Sequence, residues 1–213
     1  MDGKSVRIPK QKRSIEKKEK IIEAADRVFN RKGFFGTTTD DIANEAGFSV
    51  GSVYSYFTDK KDILLACCNR FGQSLTDDVC DEISHLTDAG DIQHTARRAL
   101  EILQKSHTTQ SRLYHDEVMS LKYRDEDIKN YFTHIQKSLM DAVMKAMDSK
   151  GYAFTYPEEQ TFLLFQMLEG IEDELAFHEN PKIDHDIMIE QCVRLIVSML
   201  TKKESTDKEK SMP

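Results

Sequence analysis

Proline and glycine, the residues that most often interrupt regular structure, are scarce in this sequence. Only four Pro and nine Gly occur in 213 residues. A protein built mainly from strands needs more turn residues than this. Because Leu, Ile, Lys, Glu, Asp, Ala and Met are common instead, the composition predicts an all-α protein.

Long hydrophobic runs are also missing. No segment approaches the roughly 18 consecutive apolar residues that a membrane-spanning helix needs, and the basic N-terminal segment lacks the apolar core of a secretory signal. The four cysteines, at positions 67, 68, 80 and 192, have no CxxC spacing. They are expected to be free thiols in a reducing cytosol. We therefore expect a cytoplasmic protein with no membrane partner.

The sequence lacks the patterns that catalytic and metal sites require. Its seven histidines are scattered and show no metal-ligand spacing with cysteine or carboxylate residues. It has no GxGxxG after a strand, no phosphate-binding P-loop and no nucleophile elbow. The sequence predicts no catalytic residue, no metal and no cofactor, so we do not expect an enzyme.

Positive charge is in deficit overall but is concentrated at one end. The net charge is −7, which by itself disfavours a polyanionic partner, yet residues 1–60 hold 12 basic and 9 acidic residues. Residues 1–20 alone hold 8 basic and 3 acidic residues. This asymmetry indicates a small basic module on an acidic body, and a basic arm can bind phosphates. A solvated, disordered tail is the alternative.

Hydrophobic periodicity predicts about nine helices. Turn residues such as Gly33, Gly47 and the Asn180-Pro181 pair separate them. The predicted helices cover residues 14–31, 40–46, 50–57, 61–86, 92–107, 111–122, 125–149, 157–178 and 184–201. Residues 150–157 are predicted to form a loop.

Two short helices joined at Gly47 indicate a helix-turn-helix within residues 33–60. In this motif the first helix braces the second, which enters the major groove of DNA. Val53 and Phe57 are expected to attach the second helix to the core. Gly51 fits either a close approach to DNA or close helix packing, and the two interpretations stand equal.

The sequence IIEAADRVFNRKG (21–33) leads into GFFGTTTDDIANEAGFSVGSVYSYFTDKKDIL (33–64). Over residues 15–65 the chain resembles the TetR family of bacterial transcriptional regulators. The resemblance implies an N-terminal three-helix DNA-binding domain and a C-terminal helical domain for ligand binding and dimerisation. The expected divisions are a disordered basic arm at 1–13, the helix-turn-helix domain at 14–60, the helical domain at 61–201 and a disordered tail at 202–213.

The resemblance also implies which residues contact DNA. Tyr54, Tyr56 and Lys60 match positions that often touch DNA, although Tyr54 could instead be a half-buried core ring. The full predicted set is Thr37, Thr38, Ser49, Val50, Gly51, Ser52, Tyr54, Ser55, Tyr56 and Lys60. No Arg or Lys lies between Gly47 and Asp59, so readout is expected from thymine methyls, tyrosine contacts, DNA shape and the basic arm.

A single recognition helix reads too few base pairs for a specific site, so we expect a homodimer on a palindromic DNA operator. The last two helices are expected to form a four-helix interface; filling the monomer core is the alternative. The apolar residues available for either role are Phe162, Phe165, Leu168, Ile171, Ile187, Ile189, Cys192, Val193, Ile196, Val197 and Leu200.

The helices within 92–149 are expected to enclose a cavity for an unidentified small-molecule effector. The nine methionines suit a cavity of adaptable shape. Candidate ligand-binding residues, each of which could instead be core, are Leu103, His107, Tyr114, Met119, Tyr123, Phe132, Gln136, Met140 and Glu169. Glu169 could bind a cationic ligand, make an interface hydrogen bond or face solvent.

The sequence therefore predicts a dimeric DNA-binding transcriptional regulator, a repressor released from its operator by the effector. The alternative is a helical small-molecule-binding or interaction protein that keeps the helix-turn-helix scaffold without specific DNA recognition.

Overall fold

The computed structural model describes residues 12–87, 92–177 and 180–202. These residues form nine helices and two short strands: α1 (Lys12–Lys32), α2 (Thr39–Ala46), α3 (Val50–Val53), α4 (Lys60–Ser84), α5 (Ile92–Thr108), α6 (Arg112–Arg124), α7 (Glu126–Ser149), β1 (Tyr152–Phe154), α8 (Pro157–Phe177), α9 (His185–Ser198) and β2 (Leu200–Lys202). The predicted all-α class with an N-terminal helix-turn-helix is confirmed. Within this part of the chain, no helix combines the length and the apolar character needed to cross a lipid bilayer.

The structure changes the predicted bounds of the N-terminal arm and the C-terminal tail. Lys12 and Arg13, expected in the disordered arm, form the first residues of α1, and Lys202, expected in the tail, ends β2. The remaining residues of the arm, 1–11, and of the tail, 203–213, lie outside the described residues.

The chain divides into two compact units. The N-terminal unit comprises the residues up to Gln73 together with 110–135, and the C-terminal unit comprises 74–109 and the residues from 136 onward. Helices α4 and α7 each contribute residues to both units. Helix α6 belongs to the N-terminal unit, although the sequence predicted that it helps to enclose the effector cavity.

The core of the N-terminal unit is built on the apolar stripe of α1. Ile21, Ile22, Ala25 and Phe29 are buried at the helical spacing that the sequence predicted. The ring of Phe29 stacks on Tyr114 of α6, with 5.4 Å between ring centroids. Residues far apart in sequence thereby join one core.

Side-chain caps define the start of both short helices. The Thr38 hydroxyl accepts from the backbone N–H of Asp41, and the Asp41 carboxylate accepts from that of Thr38, which is a capping box. Gly47 ends α2 with φ of 71°, in the left-handed region that glycine tolerates best. Ser49 then caps α3 by accepting from the N–H of Ser52.

Helix α3 is shorter than predicted. The sequence predicted a helix over 50–57, but α3 ends at Val53 and residues 54–56 form turns. The N–H groups of Ser55 and Tyr56 bond three residues back, to Ser52 and Val53, as in a tightened final turn. The Ser55 hydroxyl also donates to the Ser52 carbonyl, 2.6 Å away, and competes for that acceptor. Val53 and Phe57 are buried as predicted.

The C-terminal unit is helical except for one strand pair. Helix α5 packs against α8 and α9. Strands β1 and β2 pair antiparallel, with Tyr152 opposite Lys202 and Phe154 opposite Leu200. The predicted loop at 150–157 and the predicted helical end at 201 were therefore wrong in part. Three-residue strands are too short to show an alternating pattern, which explains why the sequence did not reveal them.

The four cysteines are free thiols in this fold. Burial raises the pKa of Cys67 well above its usual value and raises the pKa of Cys68 to about 12. Burial also raises the pKa of Cys80 and of Cys192. Each thiol is therefore protonated at neutral pH, which makes it a weak nucleophile.

Candidate nucleic-acid interface

The loop before α2 holds two of the predicted DNA-binding residues in different ways. Thr37 is only 2% exposed, and its hydroxyl donates to the carbonyl of Gly33 at 2.6 Å. This bond takes the hydroxyl away from the surface, so Thr37 shapes the loop. Thr38 is exposed, and its backbone and hydroxyl are engaged by Asp41 in the capping box. Its position at a helix N-terminus places it where phosphates bind favourably.

The start of α3 presents small polar side chains. Ser49 is exposed, and its hydroxyl lies 2.9 Å from that of Ser52. Val50 is partly buried and packs against the core of the N-terminal unit. Ser49 and Ser52 brace each other, while Val50 both supports α3 and keeps part of its side chain accessible.

Gly51 lies in open space. A Cβ built on this residue would meet no heavy atom within 4 Å. The interpretation that Gly51 allows close helix packing is therefore wrong for this fold. The open space above the α3 backbone remains available to an external molecule.

The turn after α3 carries the two predicted tyrosines. Tyr54 is 50% exposed, and its hydroxyl lies 3.5 Å from that of Thr39, in the first turn of α2. Tyr56 is partly buried, and its hydroxyl shares a hydrogen bond of 3.1 Å with that of Ser14 on α1. Ser55 is exposed, and its hydroxyl donates to the Ser52 carbonyl. The turn thus joins the N-termini of α1 and α2 to one surface.

Lys60 has a structural role that the sequence did not reveal. Its ammonium donates to the carbonyls of Phe34 and Thr37, both at 2.6 Å, and lies 4.3 Å from the centroid of the Phe34 ring. Burial lowers the pKa of this ammonium, and the carboxylate of Glu117 partly opposes that effect. Lys60 therefore holds the loop before α2 against the start of α4.

Glu117 of α6 is a second residue that fixes this loop and that sequence reasoning missed. Its carboxylate accepts from the backbone N–H of Phe35 at 2.9 Å, and a Cβ at Gly33 would lie 2.6 Å from it. Gly33 also has φ of 71°. The pairing joins positions 82 residues apart, so no local pattern could indicate it.

Ion pairs attach α2 to α1. Arg27 and Arg31 both bind Glu45, at 2.8 and 2.6 Å, and Lys32 binds Asp41 at 2.6 Å. These contacts lower the pKa of Glu45 and hold the pKa of Asp41 far below its ordinary value, with the Lys32 hydrogen bond as the largest cause for Asp41. The basic residues in the first half of α1 are Lys12, Arg13, Lys17, Lys18 and Lys20. Of these, Lys17 lies 5.9 Å from the ring centroid of Phe48, just before α3, and Lys18 lies 5.3 Å from that of Phe57, just after it.

The sequence of this region matches a known family. Residues 21–67 match the family described as bacterial regulatory proteins, tetR family, and these residues contain α2, α3 and the turn that carries the tyrosines. Over these residues the chain is similar to the TetR family.

Individual transcriptional regulators are also similar to part of this chain. The chain is 45% identical over 56 residues to the uncharacterized HTH-type transcriptional regulator YerO of Bacillus subtilis, covering 26% of this chain and 19% of YerO. It is 43% identical over 54 residues to IcaR of Staphylococcus aureus, a negative transcriptional regulator of a biofilm operon, covering 24% of this chain and 29% of IcaR. The matched segments thus span less than a third of either relative.

The TetR fold extends over most of the chain. The structure of a TetR transcription regulator from Haloarcula marismortui aligns with a TM-score of 0.66 and 18% identity, covering 88% of this chain and all of that one. The family is one of transcriptional regulators and not one of enzymes. Among the described residues, no three His, Cys, Asp or Glu side chains gather where they could hold a metal ion.

The C-terminal unit of this chain contains an apolar cavity of about 130 Å³. Residues of α4, α5, α7 and α8 line it, with contributions from α9 and the two strands. Leu103 and Met140 are the members of the predicted ligand-binding set that line this cavity.

The other predicted ligand-binding residues lie elsewhere. Tyr114, Met119 and Phe132 belong to or pack against the core of the N-terminal unit. Tyr123 is 80% exposed. His107 is partly buried outside the cavity lining. The placements of Tyr114, Met119, Tyr123 and Phe132 follow from helix α6 and the first part of α7 belonging to the N-terminal unit.

Glu169 does not line the cavity. Its carboxylate accepts from the side-chain amide of Gln136 at 2.7 Å, within the C-terminal unit. The structure shows an internal hydrogen bond for Glu169, which is none of the three roles considered, and this bond also engages the Gln136 amide.

The apolar residues of the last two helices include a buried group and an exposed group. Ile189, Cys192 and Val193 are buried in the core of the C-terminal unit, as the monomer-core alternative predicted for them. Phe162 and Ile187 are 63% and 58% exposed. Leu163 and Leu195, on the same two helices, are exposed as well.

Proposed function

We propose that this chain is a homodimeric, DNA-binding transcriptional regulator that represses from a palindromic operator until a small-molecule effector releases it. In this proposal the protein acts in the cytoplasm, where its DNA is, and it is not an enzyme. The observation that carries it is the open α3 surface around Gly51, within a segment that matches the tetR family. The negative regulation named for IcaR supports the choice of repression.

The proposed DNA-binding domain is residues 14–60. Within it, we propose that the residues in contact with DNA are Thr38, Ser49, Val50, Gly51, Ser52, Tyr54, Ser55 and Tyr56, with Thr37 and Lys60 shaping the loop. The exposed ring of Tyr54 lies beside the N-terminus of α2, whose N–H groups favour a phosphate. Val50 supplies apolar surface for a thymine methyl group. The cations of α1 add the attraction to phosphates that makes binding sensitive to salt.

The exposed apolar side chains of α8 and α9 support the proposed dimerisation. Four large apolar side chains, Phe162, Leu163, Ile187 and Leu195, are exposed there. Pairing of two copies across a two-fold axis would remove such surface from water and would place two α3 helices on one operator. The Ile187→Asp variant should sediment as a monomer, and the Leu113→Asp variant, altered at an exposed leucine of α6, should remain dimeric. A dimeric Ile187→Asp variant would contradict this interface.

The experiment that tests DNA recognition starts from a pool of random duplexes. Repeated selection with the full-length protein should enrich a palindromic sequence, and the protein should bind that sequence far more tightly than a random duplex of equal length. Binding should weaken steeply as salt rises. A pool that stays random through selection would refute specific recognition and favour a binding protein that only keeps the helix-turn-helix scaffold.

Matched tyrosine variants connect the result to the proposed surface. Tyr54→Ala should weaken binding to the selected duplex, whereas Tyr123→Ala should leave it unchanged, because Tyr123 is an exposed tyrosine on α6. Tyr54 is 50% exposed and Tyr123 is 80% exposed, so neither change should affect folding strongly. Equal affinities for the two variants would remove Tyr54 from the interface.

A further inference from the structure

The cavity of the C-terminal unit has an unusually uniform lining. Leucine, isoleucine, valine, methionine, alanine and phenylalanine side chains surround it, with Thr95 as the one polar residue among those that the structure places there. Thr95 is buried, and no polar atom reaches the cavity surface. A ligand inside would therefore meet carbon and sulfur atoms, and it would find no hydrogen-bond donor or acceptor.

This lining excludes a charged ligand group. A carboxylate or ammonium entering the cavity would lose its hydration without gaining a partner, and that loss is costly. Glu169, the carboxylate that the sequence offered for a cationic ligand, lies outside the lining and is bonded to Gln136. A ligand that fits must be uncharged and apolar throughout the part that is buried.

The volume limits the size of the part of a ligand that is buried. About 130 Å³ is close to the roughly 150 Å³ of an engineered apolar protein cavity that stays dry and binds benzene. Sites for drug-sized molecules are larger, at roughly 300–1,000 Å³. The flexible side chains of Met140 and Met147, which line the cavity, can adjust to small differences in shape.

We propose that the effector of this regulator is a small, uncharged hydrocarbon-like molecule, about the size of one aromatic ring, bound in this cavity. The regulatory part of this inference rests on the proposed function; binding itself does not. As an effector, the molecule must bind the two conformations of the protein with different affinity.

Three probes that share one ring test the chemistry of the site. Toluene, benzoate and benzylammonium are titrated separately into the full-length protein without DNA, by calorimetry and by thermal unfolding. Toluene should bind and raise the unfolding temperature, because it stabilises the folded state that holds it. Benzoate and benzylammonium should give no shift at the same concentrations. Failure of toluene to bind, or equal binding of either ion, would overturn the inference.

A pair of isosteric variants tests whether toluene binds in this cavity. Val143→Thr puts a hydroxyl into the lining and should weaken toluene binding by about tenfold. Val197→Thr makes the same change at a partly buried residue of α9 that packs on the adjacent core but does not line the cavity. Its toluene affinity should match that of the unaltered protein. Equal affinities for the two variants would place toluene elsewhere and overturn the assignment.

The duplex obtained by selection separates this inference from the proposed function. Toluene should lower the affinity of the unaltered protein for that duplex, and Val143→Thr should need a higher toluene concentration for the same effect. Toluene binding without any effect on DNA affinity would support the site and overturn its regulatory role. If no duplex is selected, the proposed function fails, while the titrations still decide what the cavity binds.

Discussion

The carboxylate of Glu117 accepts a hydrogen bond from the backbone N–H of Phe35, with 2.9 Å between Oε2 and N. Glu117 lies on α6, and Phe35 lies in the loop that leads into α2. The same carboxylate occupies the space beside Gly33 that any side chain would need. Helix α6 therefore fixes the loop from which α2 begins, and a shift of α6 would be transmitted to the proposed DNA-binding surface.

Replacing Glu117 should weaken DNA binding more than it weakens folding. Glu117→Ala removes the acceptor, but water can reach the exposed N–H of Phe35, so the loss of stability should be about 1 kcal/mol. Affinity for the selected duplex should fall several-fold, because the loop is no longer held. Asp116→Ala, at the exposed neighbouring position, is the control for a lost negative charge. The same DNA affinity in both variants would contradict a positioning role for Glu117.

The two lysines at the start of α4 should differ in their effect on stability. Lys60→Met leaves the carbonyls of Phe34 and Thr37 without their donor, so chemical denaturation should show a loss of about 1–3 kcal/mol. Lys61→Met breaks ion pairs with Asp125 and Asp127 that water can reach, and it should cost less stability than Lys60→Met. If Lys60→Met unfolds at the same denaturant concentration as the unaltered protein, the two carbonyl contacts do not contribute to stability.

Gly51→Ala should separate folding from DNA binding. The added methyl group meets no protein atom within 4 Å, and alanine favours a helix over glycine, so stability should stay the same or rise by up to about 1 kcal/mol. Binding to the selected duplex should weaken, because the methyl group occupies space that the DNA needs. Gly170→Ala, an equally open position on α8, measures the helical effect alone. Unchanged DNA affinity in Gly51→Ala would show that the DNA backbone does not approach α3 at this residue.

Acid should weaken the attachment of α2. The pKa of Asp41 is depressed in the folded state, first by the Lys32 hydrogen bond and then by those of Thr38. A depressed pKa adds stability that is present above the unfolded value, near pH 4, and is lost as the pH falls below it. Asp41→Asn should therefore flatten the stability profile between about pH 5 and pH 2. Asp40→Asn, which removes a negative charge from the same turn, is the matched control, and an unchanged slope in Asp41→Asn would contradict the assignment.

The fold was predictable wherever local signals agreed. The apolar stripe of α1, the turns at Gly33 and Gly47 and the caps at Thr38 and Ser49 are encoded within a few residues, and the structure shows each of them. The short strands β1 and β2 could not be found in this way. Their pairing joins residues about 50 positions apart and gives no periodic signal.

The sites were less predictable, because they depend on contacts between distant residues. The sequence could not indicate that Lys60 binds two carbonyls of a loop more than 20 residues earlier, or that Glu117 reaches Phe35. It also placed Tyr114 and Phe132 near the effector, whereas they pack in or against the core beneath α1. Aromatic and methionine residues fit either environment, so only the packing of helices assigns them.

The burial of Cys67 and Cys68, which raises the pKa of both thiols, favours site-directed labelling at other positions. Maleimide and nitroxide reagents attack thiolates, so Cys67 and Cys68 should stay unmodified near neutral pH. A single cysteine introduced at an exposed turn position, as in Ser55→Cys, would then carry the probe. In the proposed homodimer, spectroscopic distances between two such labels would report the separation of the two α3 helices, with and without toluene.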